Sequence, residues 1–371
     1  MIYLDHNATT PVDERVLAAM LPFLQKFYGN PSSLYRLGRF ASTAIDIARE
    51  QIAALIGSSS SEVIFTSGGT EANNLALNVV SPGAKLAISA IEHPSVTEPA
   101  QRLRAKGRSL SIIAVDNNGL ITDEAVAQLL ALKPHLASVI MANNETGVVQ
   151  NIEKLASALT GHNIIIHSDA VQALGKIPIA FNRLGVDLMS VSSHKIHGPK
   201  GCGALIVKRG RKINPLFLGG GQEQGLRAGT ENVAAIVGFG KAAELAQAEF
   251  VKRETHLKSL KQLLEQNLES ISELTIFSEQ APRLPNTVQF GIRGIDGEML
   301  VMKLDQKGVC VSSASACASG GHQPSSVLTA MGIDANLAKS ALRVSLGHTN
   351  TETEIIEFVT LLKSLLNQSS F

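Results

Sequence analysis

The sequence predicts an α/β protein: a large domain on a mainly parallel seven-stranded sheet, followed by a smaller α+β domain. Three observations lead there. Short, continuously apolar segments recur at regular spacing from about residue 62 to 207, as strands buried on both faces do. Helical patterns or turns lie between most of them, which is the alternation of a parallel sheet covered by helices. Beyond about residue 274 the pattern becomes mixed, and 371 residues exceed one compact core.

In order, Asp5-His-Asn-Ala-Thr-Thr-Pro11 and Gly29-Asn-Pro-Ser-Ser33 read as acceptor-rich turns on either side of a short amphipathic helix. A helical pattern over 41–56 stops at Gly57. The seven strands are expected at 62–66, 85–90, 111–115, 138–142, 164–167, 188–191 and 204–207. Helices are expected at 71–79, 94–106, 123–132 and 152–160, and two long ones at 233–250 and 252–272. The smaller domain then holds strands at 287–291, 309–313 and 342–346, with helices at 297–306, from Pro324 and from Thr351. The expected division is 1–15 as a segment joining the small domain, 16–255 as the large domain and 256–371 as the small one.

Composition removes several function classes. A formal net charge of +1 leaves no electrostatic footprint for nucleic acid or an anionic membrane. No apolar run approaches a membrane-spanning length, and the first residues carry no basic-then-apolar leader. Three cysteines (Cys202, Cys310, Cys317) are too few and scattered for a disulfide framework or a zinc site, so a reduced cytoplasmic setting and no metal are expected.

Ligands of open α/β sheets sit beyond the carboxyl ends of the strands, and there the polar clusters fall. They are Ser67-Gly-Gly-Thr-Glu-Ala72, Glu92-His-Pro94, Asn143-Asn-Glu-Thr-Gly147, Ser168-Asp-Ala-Val-Gln172 and Ser192-Ser-His-Lys195. Five clusters, after the first, second, fourth, fifth and sixth strands, converge on one cleft.

Each cluster suggests chemistry. The turn around Gly69, with Thr70, opens a helix whose free N–H groups suit a phosphate; without the P-loop lysine or GxGxxG spacing, ATP and NAD fit poorly. Ser192 and His194 can complete that cup. Asp169 ends an apolar strand and needs a partner, which a protonated pyridine nitrogen would be. Lys195 ends the next strand; a half-desolvated lysine there can hold an aldehyde cofactor as a Schiff base. His93, stiffened by Pro94, can stack on an aromatic cofactor and act as an acid–base. Asn144 and Gln172 are uncharged donors able to bind a phenolate oxygen. Arg343 is a charge within a strand, which either a structural ion pair or an amino-acid carboxylate, bound bidentately, would satisfy. Cys317 sits in Ser312-Ser-Ala-Ser-Ala-Cys-Ala-Ser-Gly-Gly321, a small-residue stretch expected to present an exposed, movable thiol. Cys202 and Cys310 fall in apolar strand contexts and are expected to be inert core residues.

These residues, in this order along nearly the whole chain, resemble the cysteine desulfurases of the NifS/IscS-like group. That group lies within the class-V aminotransferase family and has pyridoxal-phosphate fold type I. The resemblance extends to Tyr3-Leu-Asp-His-Asn-Ala-Thr-Thr-Pro11, Gly198-Pro-Lys-Gly201, Arg227-Ala-Gly-Thr-Glu-Asn232 and Ser315-Ala-Cys317. Two positions differ from the family's usual motifs: Tyr35 stands where a histidine is common, and Ala314 where glycine is.

The resemblance implies pyridoxal 5′-phosphate as cofactor, L-cysteine as substrate and a cytoplasmic homodimer. By it, Lys195 binds the cofactor and shuttles protons, Asp169 pairs the pyridine nitrogen, His93 stacks on the ring, and Asn144 and Gln172 meet the ring oxygen. Gly69, Thr70, Ser192 and His194 belong to the phosphate site, Thr230 comes from the second subunit, and Arg343, with Asn144, takes the substrate. Cys317 is the implied nucleophile, leaving alanine and an enzyme persulfide whose sulfur goes to an acceptor protein, an iron–sulfur scaffold among the candidates. A lyase or transaminase acting on another amino acid, selenocysteine included, is the alternative within enzymes, and a non-catalytic sulfur binder the alternative outside them.

Overall fold

A computed structural model describes residues 1–79, 83–313 and 324–368. Among these residues thirteen strands, β1 to β13 in chain order, fall into three sheets. The largest contains β2 (Val63–Thr66), β3 (Lys85–Ser89), β4 (Ser109–Ile113), β5 (Leu136–Ser138), β6 (Ile165–Asp169), β7 (Leu188–Ser192) and β8 (Gly203–Val207). Their spatial order is 2-8-7-6-5-3-4, parallel throughout except where β8 runs antiparallel to both neighbours.

The strands are continuously apolar because both faces are covered. Val63 and Phe65 of β2 enter one apolar cluster while Ile64 enters another. In β8, Ala204 and Ile206 divide from Leu205 in the same way. That alternation is the two-residue period of a strand between two helix layers. The order of strands also matters to the site, since β6 pairs directly with β7 and so puts Asp169 and Lys195 at adjacent ends.

The second body is antiparallel: β12 (Ser312–Ser313), β13 (Leu342–Ser345), β10 (Thr287–Ile292) and β9 (Leu274–Ile276), in that order. Its own core packs β10 and β13 against the helices Phe250–Leu268 and Glu352–Gln368. The chain's start belongs here too, as β1 (Ile2–Tyr3) pairs in parallel with β11 (Val309–Cys310).

Differences from the expected elements have local causes. The single strand expected over 309–313 divides into β11 and β12, which join different sheets. The fourth apolar run, expected at 138–142, forms ladder over Leu136–Ser138 instead. Beyond it Val139 and Met141 still donate to His167 and Asp169 carbonyls, while the chain turns toward Asn143. Cys202 is buried, and burial pushes its thiol up to about 12. Cys310 is only half-buried, at the β1–β11 edge rather than in the core.

Candidate active site

The carboxyl ends of β6 and β7, the start of the helix Gly69–Leu77 and the second body together wall a cavity of about 430 Å³. His93, Asn144, Asp169, Gln172, Lys195 and Arg343 all line it, from five separate stretches of chain. Gly69, Thr70, Ser192 and His194 line it as well, and border a neighbouring recess of about 240 Å³.

That recess has the make-up of an anion site. The helix Gly69–Leu77 opens on it with its first amides, where the helix dipole is positive. The Ser192 hydroxyl is buried there without a partner among the described residues. A hydroxyl in that state is costly unless a ligand meets it. Gly203 lets the backbone crowd in, since a Cβ on it would stand 2.7 Å from Gly68. Burial, then Lys195 and Lys200, hold His194 down to about 4, so its ring is a neutral neighbour near pH 7.

Asp169 is buried, and each oxygen accepts one hydrogen bond: Oδ1 from the Val171 amide at 2.9 Å and Oδ2 from Asn73 at 2.7 Å. His93 caps the helix Pro94–Ala105. Burial holds its ring below the usual imidazole range, and Lys195 pushes the same way against the pull of Asp169. Lys195 Nζ donates to the Asn7 and Ala8 carbonyls at 2.5 and 2.8 Å. Arg343, in β13, reaches across from the second body; it donates to the Asn144 carbonyl at 3.0 Å and to Asp5 at 2.6 Å.

Several residues of the site were not legible as such. Asn7 lies in a stretch that reads as a turn, yet it ties the two bodies together. Its carbonyl accepts from Lys195 and Gln172, its Oδ1 from Lys176 and Asn286, and its Nδ2 donates to Asn144 O and Thr287 Oγ1. Lys176 is wholly buried behind Gln172, and burial followed by Lys195 and Arg343 drives its amine well below the ordinary lysine value. Asn73 and Ser95 lie inside helices. Their only sequence signal is a polar residue on a buried helical face. Thr230 is exposed and does not line the cavity. Cys317 lies outside the described residues, as does Ala314; before that stretch Ser312 lines the cavity, and after it the Ser325 hydroxyl donates to Glu145.

The aminotransferase class-V family profile matches residues 2–358, and the chain belongs to that family. Within it, the chain is similar to cysteine desulfurases. It is 41% identical to the cysteine desulfurase IscS of Dictyoglomus turgidum over 373 residues, covering 99% of this chain and 95% of that one. It is 39% identical to the IscS of Methanosarcina thermophila, over 95% of this chain and 89% of the other. Among solved structures, the NifS-like protein from Rickettsia africae superposes with a TM-score of 0.91 at 38% identity, over 99% of both chains. The family works with pyridoxal 5′-phosphate. The cavity fits that group, with an orphaned buried hydroxyl and free helix amides for a phosphate, and a buried carboxylate for a ring nitrogen.

Proposed function

We propose that this chain is a pyridoxal-phosphate-dependent cysteine desulfurase that takes sulfur from L-cysteine, releases L-alanine and passes the sulfur to an acceptor protein. The observation that carries the reading is the meeting of Lys195, Asp169 and Arg343 in one cavity. Asp169 ends β6, Lys195 lies not in β7 as expected but in the 3-10 turn Ser193–Lys195 just after it, and Arg343 comes from the other body. A cofactor anchor, a carboxylate for its ring and a carboxylate clamp are what an amino-acid enzyme of this family needs together.

Bound pyridoxal phosphate supplies an electron sink that lowers the barrier to bond breaking at the substrate's carbons. The chain's own groups do the rest. Thr70, Ser192, His194 and the first amides of the helix Gly69–Leu77 hold the phosphate. Asp169 holds the ring nitrogen, and its two hydrogen bonds keep the carboxylate in place. His93 lies against the ring, and Asn144 and Gln172 meet the ring oxygen. Lys195 binds the cofactor through Nζ and moves protons at that atom. Arg343 takes the substrate carboxylate with the charge-assisted, forked geometry that guanidinium allows. Cys317, whose assignment rests on its place in the sequence, receives the sulfur as a persulfide.

The same reading divides the chain into 1–15, 16–255 and 256–371, with the first stretch going to the small domain. It makes the protein a cytoplasmic homodimer in which Thr230 serves the partner's phosphate site. No helix among the described residues is long and apolar enough to cross a membrane. An iron–sulfur scaffold is one acceptor the reading accommodates. The deciding assay measures alanine and sulfide from L-cysteine by the purified protein, with L-selenocysteine alongside. Equimolar alanine and sulfide support the proposal. Activity on L-selenocysteine alone would replace it with a selenocysteine lyase, and no turnover of either would overturn it.

A further inference from the structure

His93 is held at one of its two ring nitrogens in a way that decides where its proton sits. The Ser95 backbone N–H donates to Nδ1 at 3.1 Å, and the Ser95 hydroxyl lies 2.7 Å from the same atom. Two N–H groups cannot point at each other, so Nδ1 carries a lone pair and the neutral ring bears its proton on Nε2. The hydroxyl is itself held by Asn73, whose Nδ2 donates to Ser95 Oγ at 2.8 Å and to Asp169 Oδ2 at 2.7 Å. Asn73 has only this orientation open to it. Turned over, its amide oxygen would face the Asp169 carboxylate, two acceptors with no proton between them. The polarity therefore runs one way, from Asn73 to the Ser95 hydroxyl to His93 Nδ1, with Asp169 holding the far end of Asn73.

We propose that Asn73 and Ser95 are positioning residues that hold His93 as its neutral Nε2–H tautomer, making it a fixed hydrogen-bond donor to the cavity rather than a proton-shuttling acid–base. In that form Nε2 has no lone pair with which to take a proton. Giving its proton up would leave an imidazolate, out of reach near neutral pH. Taking a proton at Nδ1 would sacrifice the capping bond from the Ser95 amide. Proton movement at the substrate then belongs to Lys195 Nζ, and His93 contributes a donor and a flat ring. The charged groups facing His93 act in opposite senses, Asp169 on β6 favouring the imidazolium and Lys195 after β7 opposing it, while burial outweighs both on the side of the neutral ring. The catalytic meaning rests on the reading that His93 lies against the cofactor; the tautomer is a property of the chain itself.

The test is 15N NMR of the full-length protein labelled at histidine, with the His93 signals identified by their loss in His93→Gln. The expected wild-type spectrum shows an unprotonated Nδ1 and a protonated Nε2 from pH 6 to 8; a proton on Nδ1 in that range overturns the proposal. In Ser95→Ala the backbone donor remains, so the tautomer stays. The protonation midpoint should rise by roughly half to one pH unit, the worth of one lost hydrogen bond to the neutral form. Ser95→Thr should restore the wild-type midpoint. Asn73→Leu should raise the midpoint as well, and unchanged midpoints in both Ser95→Ala and Asn73→Leu would remove the positioning role. The cofactor reading is tested separately by the visible absorbance of His93→Gln with pyridoxal phosphate. A maximum identical to wild type would sink that reading and leave the tautomer standing.

Discussion

Arg343 and Asp5 form an ion pair at 2.6 Å in the wall of the cavity, although they are 338 positions apart in the chain. Asp5 follows β1 and Arg343 sits in β13, so the pair joins the chain's first residues to the sheet of the second body. The guanidinium is not exhausted by it: its Nε is buried and has no partner among the described residues. A substrate carboxylate can take that donor, in competition with Asp5. Arg343→Ala should raise KM for L-cysteine roughly 10- to 100-fold, from about 1.5–3 kcal/mol for hydrogen bonds to a charged group. The cofactor's visible absorbance should be unaffected. A KM within twofold of wild type would show that the carboxylate binds elsewhere.

Lys195 is the proposed covalent hold on the cofactor. Protein carrying Lys195→Ala and reconstituted with pyridoxal phosphate should lose the yellow absorbance of lysine-bound cofactor and show no alanine production. A visible spectrum matching the wild type would refute the assignment.

Cys317 is expected to matter at a later step than Lys195. Cys317→Ala should keep the yellow absorbance and abolish sulfide release from L-cysteine with reductant present. Sulfide formed at the wild-type rate would mean that another group receives the sulfur. The half-buried thiol of Cys310, which burial and the nearby carboxylates Asp305 and Asp5 push upward, would then be the next to examine.

A buried histidine beneath the site predicts how stability depends on pH. His167 lies wholly inside the sheet between the hydroxyls of Ser138 and Ser190, and burial pushes it down to about 3. Unfolded, the same ring takes a proton near 6.5, so below that pH the unfolded chain binds a proton the folded one refuses. Its contribution is therefore fully present above about 6.5 and is lost progressively as pH falls toward 3. The urea midpoint should drop between pH 7 and 5, and His167→Gln should drop less over the same range. Parallel profiles for the two proteins would contradict this.

Much of the site could be read from the chain because strand ends are marked locally. An apolar run followed by Ser67-Gly-Gly-Thr, Ser168-Asp or Ser-His-Lys195 announces both the end of a strand and a polar group beyond it. Cys310 is the opposite case. Its apolar neighbours are those of a core strand, but β11 is two residues long and, among the described residues, pairs only with β1. The short β1 itself is invisible to any two-residue period, since Ile2 and Tyr3 complete only one alternation.

Sequence pattern was enough for the alternation of strands and helices, the sheet they imply, and the candidate groups at the strand ends, because each depends on neighbours within a few residues. Tertiary structure alone decided which of those groups share a cavity and how their protons are arranged. Asp5 meets Arg343, Asn7 joins Lys195 to Lys176 and Asn286, and Asn73 stands between Asp169 and Ser95. Such contacts link positions up to hundreds of residues apart. A buried polar atom must find a partner wherever the fold brings one, and no local period records where that will be.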